Sequence, residues 1–221
     1  MLEAIELETA ANPAIAIIWL HGLGADGSDF VPMVGQFQAA GCPPIRFIFP
    51  HAPMMPVTVN NGYVMRAWYD ILGADLTRRE DEAGVRASQA AIEELIAAQI
   101  ARGIASERIL LAGFSQGGAI ALHTGLHYEQ RLAGILALST WLPLRNELTD
   151  DTSNINQGIP VFIGHGKNDS VVPLLRAQEA RDLLIKLGYA VTGHDYAMAH
   201  SVCLEEIFDI EAWLKTALNT F

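Results

Sequence analysis

Residues 113–118 read GlyPheSerGlnGlyGly, between an apolar run at 109–112 and a segment of helical character at 119–128. A serine on a sharp strand-to-helix turn holds its hydroxyl clear of the sheet, where it can attack an acyl carbon. Neighbouring chains pass too close to such a turn for side chains, which accounts for Gly113 and Gly117 two residues to either side of Ser115. The chemistry suggested is nucleophilic catalysis, with Ser115 as the candidate nucleophile. A hydroxyl is a poor nucleophile at neutral pH, so it needs a base within hydrogen-bond reach and a third group to orient that base. A second glycine-rich stretch, HisGlyLeuGlyAlaAspGly at 21–27, follows an apolar run ending at Leu20. Its glycines let backbone N–H groups turn inward. A phosphate cradle is the competing reading of this loop. Asp26 adds a charge that a phosphate disfavours, and no acidic residue stands at the ribose position, so nucleotide binding is not expected.

The elements that must position these loops alternate along the chain. Strand-like runs lie at 14–20, 45–49, 108–112, 133–138, 160–164 and 190–196, with a weaker one at 4–8; several are almost continuously apolar, as strands buried on both faces are. Helical patterns lie between them at 28–40, 81–102, 116–128, 173–187 and 202–218. In the second of these, Ile92, Leu95, Ile96 and Ile100 form the apolar stripe and Gly103 supplies the stop. This alternation predicts an α/β fold, a mostly parallel central sheet with helices on both faces. The stretch 51–80, rich in Pro, Met and Asn, reads as an irregular excursion able to wall a site.

At 221 residues, with 51% hydrophobic and 18% charged residues, the chain is expected to fold as one domain, residues 1–221, with a soluble globular composition and no large cap. A formal charge of −11 argues against nonspecific binding to nucleic acid or to an anionic membrane surface. The N-terminal segment carries Glu3, Glu6 and Glu8 without a basic residue, and no apolar run approaches the ~20 residues of a membrane span. Neither a signal peptide nor stable membrane insertion is expected, and the expected compartment is the cytoplasm. Cys42 and Cys203 form no disulfide framework, and no Cys/His cluster has metal-ligand spacing, so no metal or cofactor is expected.

Where a serine nucleophile sits on such a sheet, the acid and then the base follow it in the chain, each on a loop after a strand. Asp169 meets the first requirement, in GlyHisGlyLysAsnAsp just past the run at 160–164. Asp150 and Asp151 have no strand before them, and Asp195 lies within a strand. His200, in AlaMetAlaHisSer, meets the second; His194 lies inside a strand, His123 and His127 lie on the helix behind Ser115, and His165 precedes the acid. The oxyanion of the intermediate needs two backbone donors, one from the residue after the nucleophile and one from an early loop. These are Gln116 and Leu23. Gln116 is expected to act through its N–H and not its side chain, which makes Gln116→Ala a mild change.

TrpLeuHisGlyLeuGlyAlaAspGly (19–27), PheProHisAlaPro (49–53), TrpTyrAsp (68–70), GluAspGluAlaGly (80–84), GlyPheSerGlnGlyGly (113–118), LeuSerThrTrpLeuPro (138–143) and MetAlaHisSer (198–201) occur in this order along almost the whole chain. With these motifs the sequence resembles the acyl-protein thioesterase and carboxylesterase family of α/β-hydrolases. The resemblance places nucleophile, acid and base on Ser115, Asp169 and His200 and the oxyanion donors on Leu23 and Gln116, in agreement with the reading from chain order. It also implies an acyl channel near Trp141 and Val171, ordinary core packing being the alternative for Trp141. The expected function is a metal-independent serine hydrolase of carboxylic esters or acyl thioesters, with activity rising with pH as the imidazole loses its proton. Narrower expectations are a lysophospholipase or a protein depalmitoylase, acting on a lysophospholipid or an acylated protein. A non-catalytic ligand-binding α/β-hydrolase is the rival from a different class, and a homodimer is a further expectation from the resemblance.

Overall fold

In a computed structural model that describes residues 1–39, 42–73, 79–149 and 155–218, seven strands form one sheet. In chain order they are β1 (Ala4–Glu8), β2 (Ile15–Leu20) and β3 (Ile45–Pro50), and, after a separate hairpin of β4 (Met54–Val57) and β5 (Tyr63–Arg66), β6 (Ile109–Phe114), β7 (Gly134–Leu138), β8 (Pro160–Gly166) and β9 (Ala190–Tyr196). Their spatial order is β1-β3-β2-β6-β7-β8-β9; β1 is antiparallel to β3 and every other neighbouring pair is parallel. Every residue of β2 and β7 is buried, whereas the edge strands β1 and β9 are almost entirely exposed or half-buried. That difference is why the central runs read as unbroken apolar stretches.

Among the described residues, five helices cover the sheet: α1 (Val34–Ala39), α2 (Glu82–Ala101), α3 (Gln116–His127), α4 (Leu174–Lys186) and α5 (Leu204–Leu218). Val85, Ile92 and Ile96 of α2, Ile120 of α3 and Ala177 of α4 share one core with Ile18, Leu111 and Ile163 of the sheet. On the other face, Phe37 of α1 and Ile210, Trp213 and Leu214 of α5 pack on Trp19, Leu136 and Phe162. The helices thus lie on both faces. Asp81 caps α2 by accepting the Gly84 N–H at 3.0 Å, and Gly103, at φ 93°, follows its C-terminus as the sequence indicates.

Two elements depart from expectation. The predicted helix 28–40 is a 3₁₀ turn, Val31–Met33, followed by the single short helix α1, because Pro32 cannot donate to a longer helical ladder; Ala40 lies outside the described residues. The stretch 51–80 is not irregular throughout. It holds the β4–β5 hairpin, whose turn closes at Asn61 (φ 56°) and Gly62 (φ 74°) with the Gly62 N–H donated to Val57 C=O at 2.9 Å. Residues 74–78 of this stretch lie outside the described residues.

Because β2, β6, β8 and β9 all run in one direction, their C-terminal ends lie along one edge of the sheet. The loop 21–27, Ser115, Asp169 and His200 follow these four ends in turn.

Candidate active site

Ser115 sits between β6 and α3 at φ 54° and ψ −123°, a conformation that costs a non-glycine residue roughly 1–3 kcal/mol. Three hydrogen bonds hold it there. Its N–H donates to Leu138 C=O at 2.8 Å, and its own C=O accepts from Thr140 Oγ1 at 2.6 Å and from Ala119 N–H at 3.1 Å. The flanking glycines are obligatory on steric grounds: a Cβ on Gly117 would overlap the carbonyl oxygens of Leu20 and His21, and one on Gly113 would overlap the Gly117 backbone. The turn also aims the N-terminus of α3 at the nucleophile, so the positive end of that helix faces any anion formed there.

His200 bridges the other two sequence-predicted residues. Its Nε2 lies 3.0 Å from Ser115 Oγ and its Nδ1 2.7 Å from Asp169 Oδ2. The Phe114 ring lies against the imidazole with centroids 4.8 Å apart. Asp169 is buried, and its Oδ1 accepts the N–H groups of Val171 and Val172 at 2.9 and 2.8 Å, which leaves Oδ2 for the base. Hydrogen bonds also tie the acid and base loops to each other: Lys167 N–H donates to Tyr196 C=O at 2.8 Å and Asn168 N–H to Met198 C=O at 3.0 Å. Of the competing aspartates, Asp195 is engaged by Arg181 on the sheet edge, and Asp150 and Asp151 lie outside the described residues.

Leu23 and Gln116 both line the cleft above Ser115, and neither N–H donates to an acceptor among the described residues. His21 holds the loop that carries Leu23. Its Nδ1 donates to Gly22 C=O at 2.8 Å, its Nε2 accepts the Ala52 N–H at 3.0 Å, and its own C=O accepts from Trp68 Nε1 at 2.9 Å. Burial pushes this imidazole below its usual pKa, which keeps the acceptor nitrogen free of a proton.

The side chain of Gln116 corrects the expectation that only its backbone matters. It is buried, its Oε1 accepts the Trp68 N–H at 3.0 Å, and its Nε2 donates to Tyr69 C=O at 2.6 Å. The residue after the nucleophile therefore fastens the 68–70 segment to the base of the site. Asp70 extends this framework by accepting the Thr58 N–H and hydroxyl at 2.7 and 2.6 Å.

The cleft has a volume of about 550 Å³, within the usual range for small-molecule sites. Trp141, Ile71, Val59, Phe114 and Val172 give it apolar walls, and no Lys, Arg, Asp or Glu lines it among the described residues. Trp141 belongs to the hydrophobic core and to the cleft wall at once, while Val171, 62% exposed, stands at the rim. Val59 and Ile71 are contributed by the stretch that the sequence leaves as a loop.

A family model described as Phospholipase/Carboxylesterase matches residues 3–218. The chain belongs to that family. Among phospholipase/carboxylesterase relatives, an acyl-protein thioesterase 1 of Neurospora crassa is 41% identical over 220 residues, covering 93% of this chain and 90% of that one. An acyl-protein thioesterase 1 of Cryptococcus neoformans is 39% identical over 235 residues, covering 99% and 98%. The crystal structure of Arabidopsis thaliana SOBER1 superposes with a TM-score of 0.83 at 31% identity, over 92% of this chain and 99% of that chain. The architecture is accordingly the α/β-hydrolase fold without a large cap among the described residues, and the protein is a hydrolase of the phospholipase/carboxylesterase family.

Proposed function

We propose that this protein is a serine hydrolase that cleaves carboxylic esters and acyl thioesters through an acyl-enzyme on Ser115. The observation that carries the reading is the single imidazole, His200, set 3.0 Å from the Ser115 hydroxyl and 2.7 Å from the Asp169 carboxylate. His200 Nε2 takes the proton of Ser115 Oγ, which attacks the acyl carbon. Asp169 holds the ring in the tautomer with Nδ1 protonated and stabilises the imidazolium that forms. The negative oxygen of the tetrahedral intermediate is held by the N–H groups of Leu23 and Gln116 at the positive end of α3. His200 returns its proton to the leaving alcohol or thiol, and water repeats the sequence to release the acid.

The acyl chain lies along Trp141, with Val171 at the entrance. An apolar wall without charged groups suits an alkyl chain, and the names of the fungal relatives make an acylated protein the favoured substrate class. Depalmitoylase activity is therefore placed ahead of lysophospholipase activity, since nothing lining the described cleft complements a zwitterionic headgroup. No helix among the described residues is long and apolar enough to cross a membrane. The reading includes a cytoplasmic protein of one domain, free to pair as a homodimer.

A fluorophosphonate probe with an activated short-chain ester tests the central claim. Stoichiometric labelling and turnover, both lost in Ser115→Ala, are expected. Full turnover by Ser115→Ala refutes the mechanism, and absence of labelling in the wild type favours a non-catalytic ligand-binding protein. A rate series from C2 to C16 acyl thioesters then sets chain length, and a sharp optimum at short chains removes the depalmitoylase reading.

A further inference from the structure

His165 stands apart from the proposed reaction yet lies against its acid. It belongs to β8 and is fully buried. Its Nε2 lies 2.8 Å from Val172 C=O, and a carbonyl can only accept, so the proton is on Nε2. Nδ1 then carries a lone pair and has no partner among the described residues. Burial lowers the pKa of the ring, against the opposing pull of Val172 and Asp169, so the group works as a neutral N–H donor. The same Nε2 is 3.4 Å from Asp169 Oδ2, the oxygen that meets His200. Titratable and charged groups face His165 from three sides: Asp169 on the turn, His200 on the base loop and Arg181 on α4.

The turn 169–172 is thus closed at both ends. Asp169 Oδ1 receives the Val172 N–H, and the Val172 C=O receives the His165 N–H. A buried carbonyl deprived of its donor costs free energy until it finds another, which favours opening of this turn. Opening it moves the carboxylate away from the imidazole.

We propose that His165 is a positioning residue for the acid, clamping the Asp169–Val172 turn so that Oδ2 stays within hydrogen-bond reach of His200. The inference rests on the catalytic reading above and assigns a role to a side chain that chain order alone sets aside.

The test compares His165→Phe, which keeps a ring and removes the donor, with His165→Gln, whose amide nitrogen reaches the place of Nε2. In His165→Phe kcat is expected to fall by ~10- to 100-fold, the size associated with small misplacements of reacting groups, with KM unchanged. The acidic limb of the kcat profile is expected to move to lower pH, because a loosened Asp169 supports protonated His200 less. His165→Gln should recover most of the rate and the wild-type limb. If the Phe variant does not fold, His165→Asn serves, since its amide reaches only the Nδ1 position and must show the same loss. A variant lacking the donor that keeps wild-type kcat and an unmoved acidic limb, whatever its melting temperature, overturns the inference. Ser115→Ala, run in parallel, separates the two claims: its full turnover removes the catalytic reading, whereas a dead Ser115→Ala beside a fully active His165→Phe removes only the role of His165.

Discussion

Gln116→Ala tests the part of the site where sequence and structure give opposite answers. Through the backbone alone the change is mild, since alanine keeps the N–H proposed for the oxyanion. The structure shows two more hydrogen bonds, from Trp68 N–H and to Tyr69 C=O, both inside a segment that is almost entirely buried. Alanine leaves both backbone groups unpaired, at about 1–3 kcal/mol each, so a loss near ~3 kcal/mol is expected even when one group finds water. For a chain of 221 residues this corresponds to a fall in melting temperature of ~6–12 °C. The assay is thermal unfolding by circular dichroism, with ester turnover measured well below the transition. Turnover per folded molecule should stay within a few-fold of the wild type, because Ser115, His200 and the 116 N–H are retained. A melting temperature within ~2 °C of wild type would refute the claim that the side chain holds the 68–70 segment, and a dead but fully stable variant would refute the division between its side chain and its N–H.

Gly117→Ala should abolish activity through folding of the turn, since the new Cβ meets the carbonyl oxygens of Leu20 and His21; soluble expression and probe labelling are the checks, and a labelled, active variant contradicts the steric argument. Glu206 on α5 is fully buried, neither carboxyl oxygen has a hydrogen-bond partner among the described residues, and burial, with a smaller contribution from Asp209, raises its pKa from 4.5 to about 8. The folded protein therefore holds a proton that the unfolded chain releases near 4.5. Stability from this group is complete at low pH and declines as pH rises between about 4.5 and about 8. Glu206→Gln should flatten that decline in melting temperature against pH, and an unchanged slope would show that Glu206 is not its source.

Much of this arrangement is readable from residue order. The buried strands announce themselves because β2 and β7 are covered on both faces, and the parallel direction of their neighbours makes Ser115, Asp169 and His200 converge once each is placed after a strand. The β4–β5 hairpin is less visible, since Pro53, Met54, Met55 and Pro56 have weak strand character; the Asn61-Gly62 pair is the local signal that identifies its turn. Pro32 likewise marks why the early helix starts late. The work of Gln116 and His165 has no local signature. Gln116 reaches partners 47 and 48 residues away, and His165 acts on the acid through a carbonyl that only the folded turn brings near. Such roles depend on three-dimensional closure, and periodicity and spacing do not encode them.

The placement of the base after an edge strand gives the site an uneven resistance to heat. Ser115 and the loop 21–27 rise from the middle of the sheet, whereas His200 follows β9, an outermost strand that among the described residues pairs only with β8. Edge elements open at lower free energy than the centre. Local melting of that edge breaks the bonds from Lys167 and Asn168 to Tyr196 and Met198 and withdraws His200, while Ser115, after β6, and Asp169, after β8, stay in place. Warming should then produce a reversible, all-or-none silencing of the nucleophile in molecules whose central sheet is still intact.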